Sequence, residues 1–90
     1  MSMIKNEDLY KNKYQLDILE KNIMNLSGKT LLHTQYLTAE FCAKYILNDN
    51  YYDGYEDDYL YTGDYVLKKQ KHITKEELIY WIKNTPDSYY

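Results

Sequence analysis

The chain has 90 residues, fourteen Asp and Glu against eleven Lys and no arginine, and a net charge of −3. That length builds one domain (1–90) with a modest core and leaves no room to enclose a deep substrate cavity. A single cysteine, Cys42, excludes a disulfide framework and a thiolate metal cage.

No stretch approaches the ~20 apolar residues that span a bilayer, and Met1 to Asp8 has no apolar run resembling an export signal. The expected location is therefore the reducing cytoplasm of the cell that makes the protein. Abundant Asn, Ile, Tyr and Lys, all with AT-rich codons, suggest an AT-rich bacterial or phage genome.

Asn6 to Leu26 reads as one long amphipathic helix. Leu9, Leu16, Leu19, Ile23 and Leu26 recur at three- and four-residue steps and form one stripe. Asn6 is the expected N-cap, Glu7 and Asp8 suit the positive end of the helix dipole, and Ser27-Gly28 is expected to end the helix. The stripe either covers the rest of the domain or, since its spacing is heptad-like, makes a homodimer seam.

A second unit spans residues 30–84. Thr38 is the expected N-cap of a helix that carries Glu40 in its first turn and continues through Phe41, Ala43, Tyr45 and Ile46 to about Leu47. From Asn48 to Tyr65 the composition changes. Asp49, Asp53, Glu56, Asp57, Asp58 and Asp64 alternate with Tyr51, Tyr52, Tyr55, Tyr59, Tyr61 and Tyr65, without a single lysine. Gly54 and Gly63 argue for a short helix or loop leading into a strand.

Tyr65-Val66-Leu67 has strand propensity, Lys68, Lys69 and Lys71 read as a basic turn, and His72-Ile73 as the returning strand. Thr74 then caps a last helix with Glu76 and Glu77 in its first turn and Leu78, Trp81 and Ile82 inward. Pro86 ends it, and residues 85–90 are expected to fray. The expected fold is thus α+β but mostly helical, with three to four helices and one short β-hairpin.

Leu37-Thr38-Ala39-Glu40-Phe41-Cys42-Ala43-Lys44-Tyr45-Ile46 resembles the opening helix of the excisionase and MerR-like winged helix-turn-helix proteins, and Ile73-Thr74-Lys75-Glu76-Glu77-Leu78-Ile79-Tyr80-Trp81-Ile82 resembles their closing strand and helix. The resemblance covers Leu37 to Ile82, about half the chain. It implies helix, turn, second helix, hairpin wing and final helix, with the second helix entering the major groove of DNA. Two features depart from it. Leu47 stands where such proteins turn on glycine, and Asp49 to Asp58 puts five acids where the recognition helix belongs.

Those acids decide the functional expectation. Duplex DNA carries one negative charge per ~1.7 Å and binders gain by neutralising it, so an acidic reading head repels. With no arginine, the commonest guanine reader is also missing. Carboxylates interleaved with flat tyrosine rings instead imitate phosphates and bases, and they suit a basic groove on a nucleic-acid-processing protein.

The expected function is a small non-enzymatic inhibitor of the phage or mobile-element kind, similar in style to anti-CRISPR proteins. Asp49, Tyr51, Tyr52, Asp53, Tyr55, Glu56, Asp57, Asp58, Tyr59, Tyr61 and Asp64 would be its partner-binding surface. The alternative is an excisionase-like DNA-binding regulator that contacts phosphate through Lys68, Lys69, Lys71 and Lys75.

Catalytic and cofactor chemistry is not expected. Ser27-Gly28-Lys29-Thr30 has the ending of a phosphate-binding loop, but the required earlier glycine falls on Ile23. Cys42 with His33 or His72 could form a nucleophile and base, yet Cys42 sits on the packed side of its helix. His33 and His72 lack ligand-like spacing. The acids Asp53, Glu56, Asp57 and Asp58 lack the regular oxygen spacing of an EF-hand, so no metal is expected.

Overall fold

The computed structural model describes residues 3–48 and 62–90. Its elements are α1 (Asn6–Leu9), α2 (Leu16–Lys21), a 3-10 turn (Ile23–Asn25), α3 (Gly28–Thr34), α4 (Ala39–Phe41) running into a π turn (Cys42–Ile46), α5 (Gly63–Lys69) and α6 (Lys75–Lys83). Among the described residues the only β pairing is an isolated antiparallel bridge between Asn48 and Ser88. The expected hairpin wing is absent there, so the described residues are mostly helical, as expected, but not α+β.

The long first helix is also corrected. Leu9, Leu19 and Leu26 are buried and Leu16 and Ile23 pack against them, so the stripe does face the core. It does so as three short pieces wrapped around that core. Two side chains open the helix. The Gln35 amide donates to the Leu9 carbonyl at 3.0 Å and the Asn12 carbonyl at 2.9 Å, and its oxygen accepts the Tyr14 N–H at 2.9 Å. Further on, Asn22 donates to the Ile18 carbonyl and accepts the Ile4 N–H.

Apart from the Ile4 N–H, which precedes Asn6, these are backbone groups that an unbroken helix would pair internally. The break therefore strands few of them, while each buried leucine gains roughly 2 kcal/mol. Asn6 does not cap α1 but accepts the Ser27 N–H at 2.8 Å, and Ser27-Gly28 opens α3 instead of closing a helix.

The two helices that carry the resemblance form as expected. The Thr38 hydroxyl accepts the Phe41 N–H, and Thr74 and Glu77 make a reciprocal capping box. α4 and its π turn pack against α6. In the π turn the Leu47 N–H reaches back five residues to the Cys42 carbonyl at 2.8 Å. That widened turn helps bury Cys42, Ala43, Ile46 and Leu47 together.

The stretch expected to start the hairpin is α5. The Thr62 hydroxyl accepts the Tyr65 N–H, Asp64 sits in the first turn, and Lys68 and Lys69 occupy the last, all in accord with the helix dipole. Only Val66 and Gly63 of this helix are fully buried. A β-carbon on Gly63 would meet the ring of Tyr90 at 2.5 Å, so any larger residue there would push that ring aside; close approach and not a turn favours glycine.

The final residues are held, not frayed. Asn48 donates to the Pro86 carbonyl, the Ser88 hydroxyl and the Tyr89 N–H both donate to the Leu47 carbonyl, and the Tyr90 hydroxyl donates to Asp64. Asp87 takes a left-handed conformation, φ 67°, to make this return. Among the described residues no helix is long and apolar enough to cross a membrane.

Candidate functional site

Ten of the eleven residues expected to bind a partner, Asp49, Tyr51, Tyr52, Asp53, Tyr55, Glu56, Asp57, Asp58, Tyr59 and Tyr61, lie outside the described residues. Both flanks of that segment are described. Asn48 on one side and Gly63-Asp64 on the other are held by the same closing residues, Pro86 to Tyr90. Asp64, the eleventh, is exposed in the first turn of α5 with the Tyr90 hydroxyl on its carboxylate at 3.0 Å. The described residues on the two sides of the acidic segment are thus tied down by one chain end.

The four lysines of the supposed wing do not form one group. They surround the α5–α6 joint, Lys68 and Lys69 ending α5, Lys71 in the turn, and Lys75 opening α6. Lys75 lies 5.7 Å from the centre of the Tyr90 ring and Lys69 lies 5.6 Å from that of Tyr65. They point to different neighbours.

Lys69 belongs to a different assembly, which sequence reasoning missed. Three shallow depressions of about 250, 320 and 210 Å³ adjoin one another and all include His33. Tyr10, Lys11 and Lys13 come from the α1–α2 link, Lys29 and His33 from α3, Tyr36 from the following turn, and Lys69 and His72 from the α5–α6 joint. Among the described residues no carboxylate lines any of the three. The only sequence signal was fragmentary, an aromatic-and-basic pattern in Tyr10-Lys11-Asn12-Lys13-Tyr14 and again in Lys68-Lys69-Gln70-Lys71-His72.

Two buried glutamines hold these segments in register. Gln35 fixes the α1–α2 link as described above. Gln70 accepts the Leu37 N–H and donates to the carbonyls of Leu32 and Gln35. Lys13 donates to the Thr34 carbonyl at the C-terminal end of α3, where the helix dipole favours a cation.

His72 donates through Nε2 to the Leu37 carbonyl and stacks on Tyr36, with ring centres 3.8 Å apart and planes 10° from parallel. His33 contacts the Tyr65 hydroxyl at 3.0 Å. Its pKa is lowered from the usual histidine value by desolvation and by the positive charges of Lys69 and Lys29. The imidazole therefore senses a cationic field.

Cys42 is buried, and desolvation pushes its thiol from its ordinary value near 9 up to about 12. A thiol held neutral is a poor nucleophile. At pH 8 its thiolate fraction is about a thousandfold below that of a free cysteine, so iodoacetamide should label the native chain at least that much more slowly than the urea-unfolded chain. Equal rates would show that the thiol is accessible.

Gly28-Lys29-Thr30 forms the first turn of α3 and not a phosphate-binding loop. Among the described residues no three His, Cys, Asp or Glu side chains converge on a point where a metal could sit. No protein-family model, curated protein or solved structure matches the chain.

Proposed function

We propose that the chain is a non-enzymatic binding protein that inhibits a nucleic-acid-processing protein by presenting Asp49 to Asp64 to its basic groove. The single observation that carries this reading is the separation of charge. Six carboxylates and no lysine fall between Asn48 and Tyr65, whereas the rest of the chain holds eleven lysines against eight carboxylates. A balanced soluble surface would not need that segregation. Complementary charge speeds encounter, and the interleaved tyrosines supply flat contact area at low entropy cost. Anchoring of Asn48 and Asp64 by Pro86 to Tyr90 supports it too, since binding segments work best on a fixed scaffold.

A lysine-bearing hairpin wing has no support, because Tyr65 to Lys69 is helical and Lys69 and Lys75 lie over different rings.

The test uses the chain as bait in a bacterial lysate, followed by elution with duplex DNA and affinity measurement on the purified protein so released. Combined Asp53→Lys, Glu56→Lys, Asp57→Lys and Asp58→Lys should weaken that affinity at least a hundredfold, with circular dichroism unchanged. Retained affinity, or a captured protein that duplex DNA does not displace, would overturn the proposal.

A further inference from the structure

The depressions around His33 form one strip. Tyr10 is shared by the first and second, and Lys13, His33 and Thr34 by the first and third. Around His33, which lines all three, stand Lys11, Lys13, Lys29 and Lys69, with Tyr10 where the first two depressions meet and Tyr36 in the third. Tyr10 is 71% exposed and Tyr36 is 69% exposed. Tyr36 already has one face stacked on His72, so that much exposure means its opposite face is open.

Lysines spaced along a groove suit a phosphate backbone, and a preset ring with an open face suits an unpaired base. Bases within a duplex are already stacked and cannot use that platform. Nor does the strip present a protruding helix or ribbon to a major groove. We propose that this strip binds single-stranded nucleic acid, with Lys13 and Lys69 on phosphates and Tyr36 under a base. None of the residues named for this site belongs to the acidic segment, and the proposal does not depend on the function proposed for that segment.

The experiment is fluorescence anisotropy of labelled fifteen-residue oligo-dT with the full chain. Four neutralised phosphates predict a slope near −0.7 per contact on a log–log salt plot, hence about fiftyfold weaker binding at 200 mM than at 50 mM salt. Lys13→Glu with Lys69→Glu should cost at least thirtyfold. Tyr36→Ala should cost about tenfold, Tyr36→Phe almost nothing, and Lys83→Glu, on the far end of α6, nothing. The His33 pKa, followed by its ring-proton resonance, should rise when the oligonucleotide adds negative charge beside it.

The chain carrying lysine at 53, 56, 57 and 58 should bind oligo-dT at least as tightly, which separates this site from the acidic one. No binding at 50 mM salt would overturn the proposal. So would equal affinity for a duplex of the same length or for polyglutamate, the latter marking the strip as a receptor for acidic protein. Indifference to Tyr36→Ala would remove the stacked base and with it the claim for single strands.

Discussion

Replacing Gln70 with leucine should destabilise the protein by about 4 kcal/mol, a large share of the 5–15 kcal/mol typical of small domains. Gln70 is 4% exposed. Its side-chain oxygen takes the Leu37 N–H at 2.9 Å, and its amide serves the Leu32 carbonyl at 2.9 Å and the Gln35 carbonyl at 2.8 Å. Leucine fills nearly the same space but offers none of these bonds. Three backbone groups would be left inside the fold at roughly 1–3 kcal/mol each, reduced by whatever relaxation admits water.

Urea unfolding followed by circular dichroism should show a lower midpoint with an unchanged slope. Gln70→Glu should be nearly as costly at pH 7, since a carboxylate would face two carbonyls, and should recover partly in acid once it can donate a proton. A loss under about 1 kcal/mol for the leucine variant would mean that Gln70 is not the joint between α3 and α5 that its bonds suggest. The same substitution bears on the cationic strip, because Gln70 and His72 both bond the short turn that carries Tyr36.

Gln70 and Gln35 also mark where the sequence ceased to be legible. Two of the three expected caps, Thr38 and Thr74, were readable because their chemistry is local, whereas Asn6 is drawn away to the distant Ser27 N–H. Thr38 and Thr74 each bond an amide three residues on, and both helices begin where those residues predict. The burial of Leu9, Leu19 and Leu26 was equally readable from their spacing.

The break between α1 and α2 was not, because Asn12-Lys13-Tyr14-Gln15 has no proline or glycine and its interrupting partner lies more than twenty residues away in Gln35. In α5, the β propensity of Tyr65-Val66-Leu67 and a glycine read as a breaker both point away from helix. The Thr62 cap, the charge order from Asp64 to Lys69 and the Tyr90 ring over Gly63 decide the matter for helix. The strip was invisible for a related reason, since its lysines come from three segments that only tertiary contacts align.

Ending the chain at Thr85 should lower stability by about 3 kcal/mol, which for a domain of this size is a fall of roughly 12–24 °C in melting temperature. The reasoning starts from Leu47 and Asn48, both buried. Truncation removes both donors to the Leu47 carbonyl and the Pro86 acceptor of the Asn48 amide. Each is worth about 1 kcal/mol when its partner is left buried. Tyr89, which packs on the core, adds a further part of a side chain's burial, and Tyr90 no longer covers Gly63 or bonds Asp64.

The functional consequence is selective. Once freed, the flanks Asn48 and Asp64 would have to be fixed again at the moment of binding, an entropy cost that should weaken the partner about tenfold. Oligo-dT binding at the strip should not change, because none of the strip's residues touches Pro86 to Tyr90 in the bonds described. Tyr90→Phe, which removes only the bond to Asp64, should cost less than 1 kcal/mol. A melting temperature within about 4 °C of the intact chain's would make the C-terminal residues dispensable, and the anchoring of the acidic segment would then have to come from elsewhere.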